Sequence, residues 1–569
     1  MATRLSDVLR SLPARLRLEG SGKQAIETAH HRLMVGGVLF VVAFAVVGLR
    51  VVDVTMLKEG HEPRVTQHNR PTGAERDRAD IVDRNGELLA TSLSTASLYA
   101  NPKLILDAND AAAKLAKALP GGASEKDLAR RLASDRSFVW VQRNLSPRQQ
   151  FAVNRLGIPG LFFQRDERRV YPHGALTAHI LGFTDIDNRG LAGIEQSYDD
   201  RLRQPENPLQ LTIDIRLQHV VRQELAAAVE EFRAIGGAAL VLDVATSEVL
   251  ALVSLPDFDP NAPGTAESDT RFNRITLGTY EPGSTFKIFN TAAALDFGVA
   301  SLRDGYDASK PIQVSRFSIS DYKGQKRWLS VPEIMMYSSN IGSARMGVDL
   351  GRERQRQFLS RLGMLKAAQF DLPEVATPLI PNPWRDINVM TVAFGHGISV
   401  TPLNVVVGVS AVVNGGILRP ATLIKRPEGT PVPGERVLTQ RTSEQMRALM
   451  RLVVERGSGK SANVPGYAVG GKTGTAEKIV KGRYHRDMRI SSFAGAFPMN
   501  APRFVIYAML DEPKGNKATH GYATAGWVVA PLVGRLVNQI AAIYGVPPVD
   551  ENAPEFQFRD QTLINVAVR

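Results

Sequence analysis

The sequence predicts an α+β chain carried on a membrane anchor, with an N-terminal module followed by a larger C-terminal domain. Three observations predict it. An uncharged apolar run extends from Leu33 to Leu49 behind a basic N-terminus. A long amphipathic segment and an apolar hairpin lie between Asp214 and Val253. Three short motifs follow in fixed order: Ser284-Thr285-Phe286-Lys287, Ser338-Ser339-Asn340 and Lys472-Thr473-Gly474-Thr475. At 569 residues the chain is too long for one core, and about three domains are expected.

The apolar run comes first. Leu33 to Leu49 is at the short end of what crosses a bilayer. Val51 and Val52, with snorkelling by Arg32 and Arg50, extend it. Ahead of it Arg4, Arg10, Arg15, Arg17, Lys23 and Arg32 outnumber Asp7, Glu19 and Glu27, so the positive-inside rule puts residues 1–32 in the cytoplasm and the rest outside. The expected anchor is 33–52. A cleaved signal peptide would need a small-x-small site after the run, which is not evident, and a buried core helix is the other competing reading. The net charge of +12 suits an anionic partner. With an anchor present, that partner is the membrane surface rather than nucleic acid.

Thr55 to Ala79, polar and broken by Gly60, Pro63, Pro71 and Gly73, reads as a linker. Asn85-Gly86 between apolar alternations predicts a hairpin. Helices are expected over 111–118 and 125–133. Arg169-Val170-Tyr171-Pro172 then leads into His179 to Thr184, giving an α+β module without a catalytic constellation. A boundary falls near Pro205 to Pro208. Beyond it, Leu217, Val220, Val221, Leu225 and Val229 mark one face of a helix from Asp214 to Arg233. Gly236-Gly237 is expected to end that helix, and 238–243 and 249–253 to form a hairpin of strands. Residues 467–471, 491–497 and 504–510 are expected to be further strands.

The three motifs together describe a serine acyl-transfer site. A serine hydroxyl is a weak nucleophile without an adjacent base, and i and i+3 share a helix face, so Lys287 can sit beside Ser284 Oγ. Pro282-Gly283 before the serine and the apolar 288–294 after it place Ser284 at a helix N-terminus, where N–H groups favour developing negative charge. Lys287 works as a base only with a lowered pKa, which desolvation and the second cation Lys472 would supply. Each motif alone is weak. Ser320 to Lys323 also matches S-x-x-K but reads as a loop, and Ser338-Ser339-Asn340 alone would suit a helix cap.

The absence of cysteine excludes disulfides, thiolate nucleophiles and cysteine metal sites. Gly457-Ser458-Gly459-Lys460-Ser461 imitates a P-loop, but Val454 stands where its first glycine belongs. The histidines show no metal-ligand spacing, so neither metal nor cofactor is expected.

On these residues the chain resembles, over nearly its whole length, the class B penicillin-binding proteins, single-pass extracytoplasmic peptidoglycan D,D-transpeptidases. The resemblance rests on the anchor, Arg78 to Gly86, Arg169 to Pro172, Gly182-Phe183-Thr184, Thr212-Ile213-Asp214, Gly457 to Gly459 and the three motifs. Ala79 departs from the family's usual glycine. It implies a pedestal (dimerisation-type) module over 53–208 and a penicillin-binding transpeptidase domain over 209–569, built on a central antiparallel sheet with helices on both sides and a helical subdomain. Gly182 to Asp187, Gly193-Ile194-Glu195, Lys472 to Lys478 and Ser491 to Gly495 are similar to the septal, cell-division branch, with the elongation-specific branch as rival.

The resemblance further implies that Ser284 attacks the D-Ala-D-Ala carbonyl of a stem pentapeptide on nascent glycan strands while Lys287 takes its proton. Ser338 and Asn340 relay a proton and position the peptide. Lys472, Thr473 and Thr475, with Gly474 between them, hold the substrate carboxylate. The N–H groups of Ser284 and Thr475 form an oxyanion hole. β-Lactams would trap Ser284. Expected partners are a glycan polymerase of the FtsW type and other divisome proteins, at the septal inner membrane with the bulk of the chain periplasmic. A serine β-lactamase shares the motifs but needs a deacylating base that the sequence does not offer. A silent division scaffold would not need intact motifs.

Overall fold

Apolar residues at nearly every position of 236–243 and 504–510 make sense only in strands covered on both faces, and the computed structural model has that arrangement. It describes Met34 and residues 37–48, 78–314, 317–480, 483–551, 553 and 568. The chain divides into two units, Met1–Glu75 and Arg76–Arg569. In the first, Gly37–Gly48 is an apolar helix whose side chains are exposed throughout. The other residues of the expected anchor, the N-terminal tail and the expected linker up to residue 77 lie outside the described residues.

Among the described residues the second unit holds two five-stranded sheets and three two-stranded ones. In the larger five-stranded sheet, the strand order is Gly470–Val480, Arg483–Phe497, Phe504–Asp511, Gly236–Asp243, Val249–Leu255, each neighbour antiparallel. Alternate side chains serve opposite faces. Ala239, Val241, Phe504, Ile506 and Ala508 meet Ile215–Glu231 and Ala530–Tyr544. Ala238, Leu240, Val505, Tyr507 and Met509 face the core that includes Lys287–Asp296, Pro402–Val413 and Gln440–Arg456. Helices from Val331 to Val413 form the helical part beside the sheet. Among the described residues, the one helical run long and apolar enough to cross a bilayer is Ala525–Tyr544, but over half of it is buried and it packs in the sheet's core.

The smaller sheet is organised by the long strand Leu88–Ala100, which pairs with Ile81–Val82, Val139–Leu145 and Leu161–Val170. The expected hairpin is present: Gly86, at φ +91°, donates to Asp83 O, and Asp83 to Glu87 O. Helices Ala108–Ala118 and Glu125–Leu132 close a separate core around Leu98, Leu115, Leu128 and Val141. Beyond the expected boundary, Leu209–Gln210 runs parallel to Ile81–Val82 and completes this sheet.

Three local expectations are corrected. Arg78 and Ala79 are buried rather than part of an exposed linker. The Arg78 guanidinium donates to Glu195 Oε2 at 2.7 Å and to Asp199 Oδ1 at 2.6 Å, and Arg169 donates to Glu195 Oε1 at 2.7 Å, so these buried charges are paired. Gly236-Gly237 does not end the preceding helix, which stops at Glu231; the pair opens the strand. A Cβ on Gly236 would lie 2.5 Å from Leu255 O, so close approach explains the glycine. Residues 467–469 precede the strand rather than belong to it: the strand begins at Gly470, and Ala468 sits at φ +44°.

Candidate active site

The motif serine occupies a helix start, as its flanking residues predict. Gly283–Phe286 is a 3₁₀ turn that runs into the α-helix Lys287–Asp296, with Gly283 at φ +53° allowing the sharp entry. The Lys472 strand is the edge strand of the large sheet and lies against this turn. A Cβ on Gly474 would come within 2.8 Å of Pro282 O and of Thr285 Cγ2, so only glycine admits this contact.

The second motif is fixed by two helix ends. Val331–Tyr337 closes with Ser338 in the left-handed conformation at φ +60°, and Ser339 caps the next helix, Asn340–Leu350, by accepting from Gly342 N. Asp321 holds this junction: Oδ1 accepts from Asn340 N at 2.6 Å and Ile341 N at 3.0 Å, and Oδ2 from Ser339 Oγ at 2.7 Å. Asn340 Nδ2 donates to Ser320 O at 3.1 Å, which turns Oδ1 inward.

All five expected catalytic side chains converge. Lys287 Nζ lies 2.7 Å from Ser284 Oγ, 2.7 Å from Asn340 Oδ1, 3.1 Å from Ser338 O and 3.2 Å from Ser338 Oγ. Lys472 Nζ lies 2.9 Å from Ser338 Oγ and 3.3 Å from Thr473 O. Both lysines are fully buried, whereas Ser284, Ser338, Asn340 and Thr475 are half-buried at the open face. Burial, then the positive charge of Lys472, pushes the Lys287 ammonium well below its ordinary range, while Asp321 pulls it back up. Burial lowers Lys472 to about 7. A neutral Lys287 has two N–H groups and one lone pair. Asn340 Oδ1 and Ser338 O accept the former, and the lone pair is left for the Ser284 hydroxyl.

The expected binding strand is also arranged. Thr475 Oγ1 accepts from Ala525 N at 3.1 Å, which leaves its O–H to donate outward. Thr473 Oγ1 lies 2.6 Å from Ser458 Oγ. Gly457 to Gly459, the P-loop imitation, thus contributes a hydroxyl to the site. The second S-x-x-K match, Ser320 to Lys323, is loop as expected. Its Asp321 is nonetheless part of the machinery, and no motif signalled it. Nor did a motif mark the group next to the nucleophile turn: Phe394, whose ring centre is 6.0 Å from Lys287 Nζ, then His396, Glu281 and Tyr484. Among the described residues no cluster of His, Asp and Glu is arranged to hold a metal.

Comparison with known proteins agrees with this geometry. Residues 237–534 match the penicillin binding protein transpeptidase domain, and 74–214 the penicillin-binding protein dimerisation domain. The chain is 41% identical over 487 residues to a protein of Caulobacter vibrioides named probable peptidoglycan D,D-transpeptidase FtsI, covering 83% of this chain and 82% of that one. It is 32% identical over 533 residues to the probable peptidoglycan D,D-transpeptidase PenA of Neisseria gonorrhoeae, covering 88% and 90%. Penicillin binding protein 3 of Mycobacterium tuberculosis, crystallised with aztreonam, superposes with a TM-score of 0.66 at 25% identity over 83% of this chain and 97% of that one.

Proposed function

The chain belongs to the class B penicillin-binding proteins, and from that membership we propose that it is the peptidoglycan D,D-transpeptidase of the septal wall, working through a Ser284 acyl-enzyme. It is a serine-type transpeptidase, its substrate is peptidoglycan, and β-lactams bind it. The observation that carries the Ser284 assignment is the 2.7 Å approach of a fully buried Lys287 Nζ to Ser284 Oγ, within reach of Ser338 and Asn340.

The chemistry follows from those distances. Neutral Lys287 takes the Ser284 proton as Oγ bonds to the carbonyl carbon of the penultimate D-alanine. The backbone N–H groups of Ser284 and Thr475 receive the oxyanion. Ser338 Oγ, between Lys287 and Lys472, passes a proton to the leaving amine of the terminal D-alanine as its bond to carbon breaks. Lys472 with the hydroxyls of Thr473 and Thr475 holds that residue's carboxylate beside Gly474. An amine of a neighbouring stem then attacks the ester, its nitrogen bonds to the carbonyl carbon, and Oγ regains its proton.

Residues 1–32 are assigned as the cytoplasmic tail, 33–52 as the inner-membrane anchor, 53–208 as the pedestal and 209–569 as the transpeptidase domain. The apolar Gly37–Gly48 helix supports the anchor. The name FtsI on the Caulobacter relative supports the septal branch, and with it partners of the FtsW and divisome type. The test is intact mass of the full chain after exposure to benzylpenicillin, with peptide mapping. One slow-clearing adduct on Ser284, lost in Ser284→Ala, is expected. Rapid turnover of the drug, or an adduct elsewhere, overturns the assignment. A fluorescent fusion that stays off the division plane would overturn the septal role.

A further inference from the structure

The strand that carries Lys472 and Thr473 is an edge strand, paired along one side, and Lys472 Nζ hydrogen-bonds to Ser338 Oγ and Thr473 O rather than to a carboxylate. Where its ammonium stands therefore depends on how the strand enters the site. That entry is backbone that does not hold itself: Gly466 sits at φ +84° and Ala468 at φ +44°, a region that an L side chain rarely adopts. A carboxylate from beyond the helix Ala530–Tyr544 holds it. Glu551 Oε1 accepts from Gly466 N at 2.9 Å and from Ala468 N at 3.2 Å. Val549 N donates to Gly466 O at 2.8 Å, which lays the segment that carries Glu551 against the same turn.

The second oxygen reaches the strand by another route. Glu551 Oε2 accepts from Arg451 Nη2, and Arg451 Nη1 donates to Val469 O and to Asn463 Oδ1, both at 2.8 Å. Arg451 stands in the helix Gln440–Arg456 with its side chain 4% exposed, and a guanidinium so buried is held by the carboxylate that pairs with it. Glu455 Oε1 is 3.0 Å from Arg451 Nε, but that nitrogen has no hydrogen-bond partner among the described residues, so Glu551 is the acid aligned with the guanidinium fork. One carboxylate thus fixes Ala468 N directly and Val469 O through Arg451, the two residues ahead of Gly470-Gly471-Lys472. The strand cannot slip toward the helix instead, because a Cβ on Gly470 would already lie 3.0 Å from Arg451 N. Resting on the reading of Lys472 and Thr473 as holders of the substrate carboxylate, we infer that Glu551 is a positioning residue for the transpeptidase reaction, placing Lys472 and Thr473 through Ala468 and Arg451.

Stopped-flow acylation by benzylpenicillin, whose carboxylate takes the place of the terminal D-alanine's, tests this in the full chain. Glu551→Ala and Glu551→Gln are compared with the unaltered protein at a temperature where circular dichroism shows all three folded. In Glu551→Ala the drug concentration for half-maximal rate is expected to rise about tenfold while the limiting rate changes by less than about threefold, because the displaced groups hold the carboxylate rather than make the bond. Glu551→Gln keeps an oxygen for Gly466 N and Ala468 N but turns an amide toward Arg451, so its half-saturation should rise by only about threefold. An unchanged half-saturation in Glu551→Ala overturns the inference even if that variant melts earlier, since a tie that serves stability alone gives that result. A loss confined to the limiting rate overturns it as well. If Glu551→Ala does not fold, Glu551→Gln decides, and no rise there overturns the inference. Failure of the unaltered protein to take penicillin at all would instead be a failure of the transpeptidase reading.

Discussion

Asp321 Oδ1 accepts from Asn340 N at 2.6 Å, so a loop carboxylate with no place in any motif fixes the start of the helix that carries Asn340. The same carboxylate binds Ser339 Oγ and Ile341 N, and its charge favours the protonated form of Lys287. Asp321→Ala should therefore lower the second-order rate of penicillin acylation by about ten- to a hundredfold through misplacement of Ser338 and Asn340. It should also shift the rising limb of the pH profile to lower pH, because Lys287 loses its favourable neighbour. Stopped-flow acylation across pH checks both. A slower enzyme with an unmoved limb would mean that Asp321 acts on geometry alone.

In the unaltered protein the two lysines set opposite limbs. Lys287 must be neutral to take the Ser284 proton, and burial with the charge of Lys472 holds it well below its ordinary range, so acylation rises with pH as it deprotonates. Lys472 must be charged to hold a carboxylate, and it gives up its proton at about 7. The expected profile is a bell that falls as pH climbs past about 7, with the fall expressed in saturation rather than in the limiting rate. Lys472→Gln should flatten the falling limb and move the rising limb upward, since Lys287 loses a repelling charge. A limiting rate with no pH dependence would remove Lys287 from the role of base.

The same burial costs stability. The folded value of Lys472 is about 7 against an ordinary 10.5, so between those values the unfolded chain binds more protons than the folded one and stability rises with pH. The cost is fully present below about 7 and disappears above 10.5. Lys472→Met should raise the melting temperature at pH 6 by about 2 °C or more, with the gain fading by pH 10. Calorimetry at the two pH values decides it. A gain equal at both would mean that packing, not charge, is responsible.

Much of this was legible from the sequence because the signals were local. The Asn85-Gly86 turn, the apolar face from Leu217 to Val229 and the apolar runs at 238–243 and 504–510 follow backbone and burial rules that act over a few residues. The motif residues were legible as a set because a serine acyl-transfer site needs a nucleophile, a base, a relay and an anion holder. Asp321 was not, because it acquires its role from a tertiary approach to a junction 18 to 20 residues away. Gly236-Gly237 misled for a related reason, since a helix breaker and a glycine demanded by a neighbouring carbonyl look alike in sequence.

Gly395 shows the same tertiary demand at the site itself. It sits at φ +81°, a conformation in which a side chain is strained, and a Cβ there would lie 2.1 Å from Gly283 O and 2.7 Å from Gly283 N. Both obstacles are backbone atoms of the nucleophile turn, so neither can swing aside as a flexible side chain would. Gly395→Ala must therefore displace Gly283 and with it Ser284, break the Gly283 N to Gly395 O bond, or both. The expected cost is about 2 kcal/mol or more in stability, with acylation reduced by about tenfold or more because Ser284 Oγ leaves its 2.7 Å contact with Lys287. Gly298→Ala is the control: its φ is +66° but its Cβ would meet nothing within 4 Å, so it should share the backbone strain and spare the chemistry. Equal acylation by the two variants at a temperature where both are folded would show that the contact between Gly395 and Gly283 does not position the nucleophile.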